Sequence, residues 1–575
     1  MARRSVERIV PGDGGRHHPR AGAPRPGGGR PAWTQGGPTP RRGTLDHRRH
    51  ARPGAPRVTT WGPVRATRPG DRAAPAGGGL AHRTPALRGH LRSQREHAPV
   101  TAAAVLLAAA AALLGLWGYR RAQDASGFFA ASRSAGPVLA GLGGTAAGLS
   151  AFVFIGGPGL FGSIGIASLW ILLSAPLTGA LQCWAVGEPV VRLARSRNTL
   201  TVPGILAARY GEGTPRGLAA VAVIAGGIAM LAVQVKGVAI TGDVLLGGGG
   251  WGLAAILLGG TALYTTAGGM RAGLVAEAFQ GLLMAAAALI VAAVALHRAG
   301  GPAAAVASIA RLRPALLDPW NGVGPTTALG WFLLFGLGTC AQPHYLQKFL
   351  LIRDEDALRW MPLVMTGGLL AVLTVWIGVG LGGSALLARG ELRIATPDQL
   401  APALLRGFSP TLLLLATAAI AAAVMSTAAT LLNLVAAAAA RDIPLATGRA
   451  PGGGLLLPRL ATLAAAGTAF LLAMGSGRSV ALLGILGWGT FTAALLPAVL
   501  LGLNWEGAGR RAAVVAMIAG PAVQLLLEGL HRAHLAMALE PGLSGAAAGA
   551  LLLVVISLAE HGSSTTLTTE IEVAR

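Results

Sequence analysis

The chain has few charged residues and almost no cysteine. Only 12% of its 575 residues are charged, whereas about 25% are charged in typical soluble domains. Hydrophobic residues make up 53% of the chain, and the mean hydropathy is +0.58. The two cysteines, Cys183 and Cys340, lie in separate apolar stretches and indicate neither a disulfide framework nor a cysteine-based metal site. The composition excludes a soluble globular protein and predicts an all-α polytopic membrane protein.

Signatures of common catalytic sites are also missing. The sequence contains no H-E-x-x-H zinc motif, no G-x-S-x-G nucleophile elbow and no Walker A loop for binding phosphate. Nothing in the sequence therefore supports an enzyme, and the missing phosphate-binding loop argues against an ATP-driven pump. We expect the protein not to be an enzyme.

Residues 1–99 differ in composition from the rest of the chain. The first 98 residues hold 20 arginines, no lysine and five acidic residues, so they carry +15 of the net charge of +24. A segment with so little apolar surface is predicted to be disordered. Two interpretations are open: a basic arm that binds nucleic acid or anionic lipid, or an over-extended gene start, with Val100 as the true first residue. Because the segment has almost no aromatic residues, we expect no nucleic-acid partner.

From residue 100 onward, apolar runs of membrane-spanning length alternate with short polar joints. This pattern predicts a domain of about 13 transmembrane helices over residues 100–560, followed by a short tail at 561–575. The predicted runs are 100–118, 136–161, 164–192, 215–246, 250–266, 272–297, 325–350, 359–388, 408–440, 455–475, 479–503, 510–530 and 541–559.

The joints between the runs carry unequal numbers of basic residues. If the first run points inward, 17 Lys and Arg residues fall in the cytoplasmic joints and eight fall on the opposite side. Since cytoplasmic loops are enriched in basic residues, we expect a plasma-membrane protein with its N-terminus outside and its C-terminal tail in the cytoplasm. The basic residues 1–99 would then lie outside, against the same rule.

The second run is rich in helix-breaking residues. Residues 137–162 read PVLAGLGGTAAGLSAFVFIGGPGLFG, with seven glycines between positions 141 and 159 and a proline at 158. Each glycine weakens a helix by about 1 kcal/mol and a proline by about 3 kcal/mol. A broken helix at membrane depth frees carbonyl oxygens that bind ions, whereas small residues also allow close helix packing. Both interpretations are open from this run alone.

Two adjacent hydroxyls interrupt the ninth run. Residues 421–433 read AAAVMSTAATLLN, and Ser426 and Thr427 are surrounded by alanine and leucine. Hydroxyls in hydrocarbon need partners. Together with carbonyls one turn earlier they provide the oxygen ligands that hard cations prefer, but they also bond back to their own helix or join two helices.

A few polar residues lie well inside other runs. Lys236 is in the middle of the fourth run, and Glu277 and Gln280 lie one turn into the sixth. Ionisable residues in a membrane are costly, so each is a functional candidate. In the seventh run, Pro343 is expected to kink the helix, and His344 is interpreted as a hydrogen-bonding residue.

Four segments in order resemble the motifs of the sodium:solute symporter family. They are NTLTVPGILAARYG at 198–211, YTTAGGMRAGLVAEAFQ at 264–280, GTCAQPHYLQKF at 338–349 and AAAVMSTAATLL at 421–432. The resemblance covers residues 100 to about 560. It implies a LeuT-type fold, in which spans two to eleven form a five-plus-five inverted repeat around a site near the membrane midplane.

The resemblance also implies a site for a co-transported sodium ion and a neighbouring solute site. Its sodium ligands fall on the backbone carbonyls of Ala146, Leu149 and Ala423 and on the hydroxyls of Ser426 and Thr427. The substrate and coupling candidates are Gly148, Ser150, Lys236, Glu277, Gln280, Phe335, Thr339 and Gln342.

Departures from the family pattern make proline itself doubtful as the solute. Gly148 stands where proline-transporting members carry an acid, and Glu277 replaces the family's aspartate, with Ala276 in place of its threonine. Phe335 and Thr339 stand where the proline branch has larger aromatic residues. Lys236 matches a position that is basic in several branches, which favours a solute with a carboxylate.

We therefore expect sodium-coupled symport of a small organic solute, such as an amino acid or a monocarboxylate. The expected partners are sodium, this solute and the lipid bilayer, and we expect no obligate protein partner. Proton coupling through Glu277 is one alternative. A transporter-like sensor without flux is another, although such family members carry an appended kinase and only about 15 residues follow the last predicted span here.

Overall fold

The computed structural model describes residues 135–353, 355–450, 454–533 and 539–573, together with Leu106, Ala109, Leu113 and Arg133. For 268–272 and 562–573 it describes the backbone alone. The predicted tail at 1–99 and nearly all of the first apolar run at 100–118 lie outside the described residues, so their predictions are not tested.

Throughout the described residues the secondary structure is helical, apart from one isolated parallel bridge between Ala135 and Ile352. The α-helices are α1 (Pro137–Gly148), α2 (Gly157–Ile164), α3 (Ala175–Gln182), α4 (Glu188–Ser196), α5 (Val202–Tyr210), α6 (Thr214–Leu246), α7 (Gly250–Arg298), α8 (Pro302–Leu312), α9 (Pro325–Gly336), α10 (Pro343–Leu351), α11 (Ala357–Ala388), α12 (Leu400–Leu405), α13 (Pro410–Ala437), α14 (Ile443–Ala446), α15 (Leu456–Gly475), α16 (Val480–Leu496), α17 (Gly502–Asn504), α18 (Arg510–Arg532) and α19 (Pro541–Val573). Short π or 3-10 turns occupy Phe152–Gly156, Gly165–Ser174, Cys183–Gly187, Pro314–Leu317, Leu337–Ala341, Pro397–Gln399, Ala438–Asp442 and Pro497–Leu501.

Nine helical segments of the described chain are long and apolar enough to cross a membrane. This agrees with a polytopic protein, while the number of 13 spans stays a prediction. The predicted joint between the fifth and sixth runs is not a loop, because α7, which is 49 residues long, is continuous across it. The joint contains two glycines but no proline, and a glycine weakens a helix without removing a backbone hydrogen bond.

The second run is broken, which is one of the two interpretations that its glycines left open. Helix α1 ends at Gly148, and the next residue, Leu149, has extended backbone angles (φ −105°, ψ 113°). A π turn and α2 follow, and the residue after the end of α2, Gly165, has a φ of +68°. A Cβ atom at Gly165 would lie 1.8 Å from the carbonyl oxygen of Leu316, so only glycine fits this turn.

The seventh run is interrupted in a corresponding way. Helix α9 passes into the 3-10 turn Leu337–Ala341, Gln342 has extended angles, and Pro343 begins α10. The predicted kink at Pro343 is therefore present. The second and seventh runs are the first members of the two predicted five-span repeats, so each half contributes one broken helix.

Helix α13 lies at the centre of the bundle and packs against α1, α6, α7 and α15. Nearly every side chain from Ala419 to Ala438 is buried, the polar ones included. A helix that is apolar on all sides is stable only where it is surrounded. This arrangement brings the hydroxyl pair of α13 beside the broken end of α1.

Candidate functional site

All five predicted sodium ligands meet where α1 breaks beside α13. The hydroxyl oxygen of Ser426 lies 3.2 Å from the carbonyl oxygen of Ala146 and 3.1 Å from that of Ala423. The hydroxyl of Thr427 donates to the carbonyl of Leu149 at 3.1 Å. Residues separated by about 280 positions in the chain thus bring their oxygens within hydrogen-bond distance of one another.

The break supplies the carbonyls of this cluster. A helix leaves its last four carbonyls without intrahelical partners, and Ala146 is in the last turn of α1, with Leu149 immediately beyond its end. All five residues are at most 1% exposed. The cluster therefore presents five oxygen atoms, none with a formal charge, in a site shielded from water.

Gln234 on α6 holds the far side of the break. Its side-chain oxygen accepts a hydrogen bond from the Ala151 amide at 3.0 Å, and its amide nitrogen donates to the Met230 carbonyl at 3.1 Å. The hydroxyl of Ser150 accepts from the Phe152 amide at 3.2 Å, which caps the π turn. The sequence interpretation missed Gln234, although it lies two residues before Lys236 in the same apolar run.

A cavity lined by aromatic side chains adjoins the break. Three predicted residues, Gly148, Phe335 and Thr339, line it. The ring of Phe335 stacks on that of Trp488 at 4.9 Å and on that of Phe152 at 5.5 Å between centroids. The other lining residues are Phe152, Val153, Ile171, Leu172, Ser174, Ala175, Thr178, Tyr345, Leu369, Leu373, Trp376 and Trp488.

Gly148 is in close contact with Tyr345 of α10. A Cβ atom at position 148 would lie 1.7 Å from the Tyr345 hydroxyl oxygen, so any side chain there would displace the ring. The tyrosine hydroxyl thus occupies the space that an acidic side chain at 148 would need. This contact explains the departure from the proline-transporting pattern at this position.

Two glutamines border the aromatic cavity. Gln182 donates to the hydroxyl of Thr339, and Gln342 donates to the carbonyls of Gly338 at 3.1 Å and Trp488 at 3.2 Å. The side-chain oxygens of both glutamines are buried and have no hydrogen-bond partner within the described residues. Gln342, a predicted candidate, therefore joins the two halves of the seventh run to α16 at the edge of the cavity.

Lys236 is not among the residues that line the aromatic cavity. Its ammonium group donates to the Ser476 carbonyl at 2.6 Å and also to the Arg478 carbonyl. These carbonyls belong to the short connection between α15 and α16. Lys236 thus satisfies backbone acceptors of that connection in this structure.

Glu277 forms a buried ion pair with Lys348, a partner that the sequence did not reveal. The two charged groups lie 2.5 Å apart and are at most 1% exposed. The hydroxyl of Thr430, one turn beyond Ser426 on α13, donates to the other carboxylate oxygen of Glu277. Gln280, on the next turn of α7, is buried, and its side-chain oxygen has no partner within the described residues.

These features define a class of protein: a helical membrane protein in which two broken helices and one buried helix enclose a small oxygen-lined site and an aromatic cavity. Residues 128–520, more than half of the chain, match the model of the sodium:solute symporter family. The chain therefore belongs to the sodium:solute symporter family. The resemblance and the fold class inferred from the sequence are both confirmed.

Named relatives agree with this assignment. The chain is 28% identical over 450 residues to the high-affinity proline transporter PutP of Bacillus subtilis, covering 72% of this chain and 89% of the relative. It is 27% identical over 263 residues to the sodium/pantothenate symporter of Escherichia coli, covering 45% of this chain and 53% of that one.

The fold resembles a solved structure as well. A Na+-coupled sialic acid symporter in a substrate-bound, outward-open state matches with a TM-score of 0.67 at 17% identity, covering 80% of this chain and 97% of that one. At this level of identity the likeness concerns the fold alone.

Proposed function

We propose that this sodium-coupled symporter binds its sodium ion between the broken end of α1 and the middle of α13. The ligands are the carbonyls of Ala146, Leu149 and Ala423 and the hydroxyls of Ser426 and Thr427. The observation that carries the proposal is the contact of both hydroxyls with the freed carbonyls of α1 at 3.1–3.2 Å. Sodium takes the place of these hydrogen bonds and keeps the two helices together.

The ion and the solute are coupled through the residues at the break. Leu149 offers its carbonyl to the ion, and its neighbour Gly148 lines the aromatic cavity. Sodium binding fixes this stretch of backbone and so favours the conformation in which the cavity receives solute. Coupling is then the difference in the affinity of the ion for the two conformations.

We propose a small organic solute without net charge, with an amino acid favoured over a monocarboxylate. The residues that line the aromatic cavity include no ionisable acid, lysine or arginine. The ammonium group of Lys236 is engaged by the carbonyls of Ser476 and Arg478, so within the described part of the chain no lysine or arginine lines the cavity to neutralise a lone carboxylate. Aromatic faces favour an ammonium group, and the Thr339 hydroxyl offers a hydrogen bond.

The proposed orientation keeps the N-terminus outside and the C-terminus in the cytoplasm of a cell whose plasma membrane holds the protein. This proposal depends on the excess of Lys and Arg in the joints after the odd-numbered runs. Labelling of single cysteines introduced at Arg449 and at Arg393 with an impermeant reagent tests it. We expect the introduced cysteine at 449 to react only after permeabilisation and that at 393 in intact cells.

Uptake of candidate solutes into proteoliposomes tests the function directly. We expect an inward sodium gradient to drive accumulation of an amino acid, and a pH gradient without sodium to have no effect. Uptake that followed the pH gradient alone would instead support proton coupling through Glu277. Solute binding to the purified protein without any flux would support a sensor.

A further inference from the structure

A second cavity lies beside the start of α5, and it shares no lining residue with the aromatic cavity. Its volume is about 400 Å³, which is within the range of small-molecule sites. Arginines from three separate parts of the chain line it: Arg197 after α4, Arg216 on α6 and Arg441 in the π turn after α13. The remaining lining residues are Asn198, Thr199, Leu200, Thr201, Gly204, Ala207, Ala208, Gly211 and Glu212.

One of the three arginines is fully committed to protein partners. Arg216 donates to both carboxylate oxygens of Glu212, at 2.6 and 2.7 Å, and to Asp442 at 2.6 Å. The hydroxyl of Thr201 donates to the same Asp442 oxygen at 2.8 Å and accepts from the Gly204 amide at 3.1 Å. This network, in which Arg216 and Asp442 are buried and Glu212 is exposed, fixes the cavity wall and compensates the positive charge of Arg216.

Two hydrogen-bond donors of the cavity have no such partner. The Nε atom of Arg441 and the hydroxyl of Thr199 are buried, and neither makes a hydrogen bond within the described residues. Thr199 is only 9% exposed. Leaving a buried donor unpaired costs free energy, so an acceptor that enters the cavity would satisfy both groups.

The charge balance favours an anion as that acceptor. The lining residues include three arginines and one carboxylate, Glu212, and Arg216 binds both Glu212 and the neighbouring Asp442. Two further arginines donate hydrogen bonds to backbone carbonyls of lining residues. Arg133 donates to the carbonyl of Thr199, and Arg510 donates to that of Glu212. The second oxygen of Asp442 also lacks a partner, but Asp442 is not among the residues that line the cavity.

We propose that this cavity binds a phosphoryl anion through Arg441, Arg197 and the hydroxyl of Thr199. Planar guanidinium groups match phosphate oxygens in charge and geometry. In the proposed orientation the cavity is on the cytoplasmic side, where both free phosphorylated solutes and anionic lipid headgroups carry this chemistry. Arg441 continues the helix that bears Ser426 and Thr427, so the bound anion contacts an extension of the sodium-binding helix.

Thermal unfolding of the full-length protein in a neutral detergent tests the proposal. Inorganic phosphate is titrated against chloride at matched ionic strength, because a ligand of the native state raises the melting temperature. We expect phosphate to stabilise the wild type, and Arg441→Gln to raise the half-maximal phosphate concentration by about tenfold or more, since a charge-assisted hydrogen bond is lost. The control is Arg449→Gln, an exposed neighbour that does not line the cavity, for which we expect less than a twofold change.

A second arm separates the two sources of the anion. The same variants are melted in nanodiscs of phosphatidylglycerol and of phosphatidylcholine. Stabilisation of the wild type but not of Arg441→Gln by phosphatidylglycerol alone would assign the site to a lipid headgroup. If Arg441→Gln does not fold, Thr199→Val replaces it. Equal responses of wild type and variant to phosphate and to both lipids would overturn the proposal.

Discussion

Among single residues, Thr427 and Ser426 are the side chains of α13 whose oxygens meet the end of α1. Each lies within hydrogen-bond distance of a carbonyl that α1 cannot satisfy internally. Their neighbours on the helix are alanine and methionine, which have no oxygen in the side chain. The two hydroxyls are thus the parts of the proposed ion site that mutation can remove.

Replacing Thr427 by alanine is expected to weaken sodium binding without unfolding the protein. The change removes one ligand oxygen, and we expect the sodium concentration for half-maximal uptake to rise about five- to tenfold. The matched control is Thr417→Ala on the same helix, because that buried hydroxyl donates to the Leu413 carbonyl at 2.7 Å, within its own helix. Equal sodium dependence in the two variants would contradict the assignment.

Gly148 is expected to tolerate no side chain. In Gly148→Ala the new Cβ atom would lie 1.7 Å from the Tyr345 hydroxyl oxygen, so the ring that lines the cavity has to move. We expect solute uptake to fall at least tenfold, and Tyr345→Phe to restore part of it because the closest atom is gone. Gly252→Ala, where a Cβ atom meets nothing within 4 Å, serves as the control and should retain uptake.

At the scale of helices, the buried pair of Glu277 and Lys348 joins α7 to α10, with Thr430 of α13 completing the contact. Its charges compensate each other where both side chains are at most 1% exposed. A buried ion pair contributes little over an apolar pair of the same shape, but removing one partner leaves an uncompensated charge.

Lys348→Met is accordingly expected to lower the free energy of unfolding by about 3–5 kcal/mol. The double variant Glu277→Gln with Lys348→Met should recover most of this loss, because no charge is then left unpaired. Melting temperatures of the purified variants measure both effects. A double variant as unstable as the single one would mean that packing, not charge, causes the loss.

The start of α19 provides a pH-dependent contribution to stability. Burial raises the pKa of Glu540 from 4.5 to about 7, although the Leu543 and Gly542 amides that donate to its carboxylate oppose the shift. The folded state therefore binds a proton that the unfolded state has released between these pH values. We expect stability to fall as pH rises from 4.5 to 7, and Glu540→Gln to flatten that dependence in melting curves. An unchanged slope in the variant would assign the effect to another group.

For the whole molecule, hydropathy and four short motifs were sufficient to predict the fold class. They also selected five proposed sodium ligands that lie next to one another in the structure. Backbone carbonyls at a glycine-rich break and hydroxyls in an apolar helix are visible in sequence because both violate a local rule. Tyr345 and Lys348 lie inside a recognised motif, yet their partners Gly148 and Glu277 are 197 and 71 positions away. Periodicity carries no information on such contacts, and it also predicted a joint where α7 is continuous.

The oxygens around the proposed ion are all neutral, and this has an electrical consequence. A site that offers carbonyls and hydroxyls does not cancel the charge of the ion it carries, so a cycle with an uncharged solute moves net positive charge across the membrane. Each elementary charge gains about 2.3 kcal/mol per 100 mV. We expect a potassium diffusion potential, negative inside, to accelerate uptake into proteoliposomes at a fixed sodium gradient. The membrane voltage would then be a driving force in its own right, and a cell could accumulate the solute even where the sodium concentrations on the two sides are nearly equal.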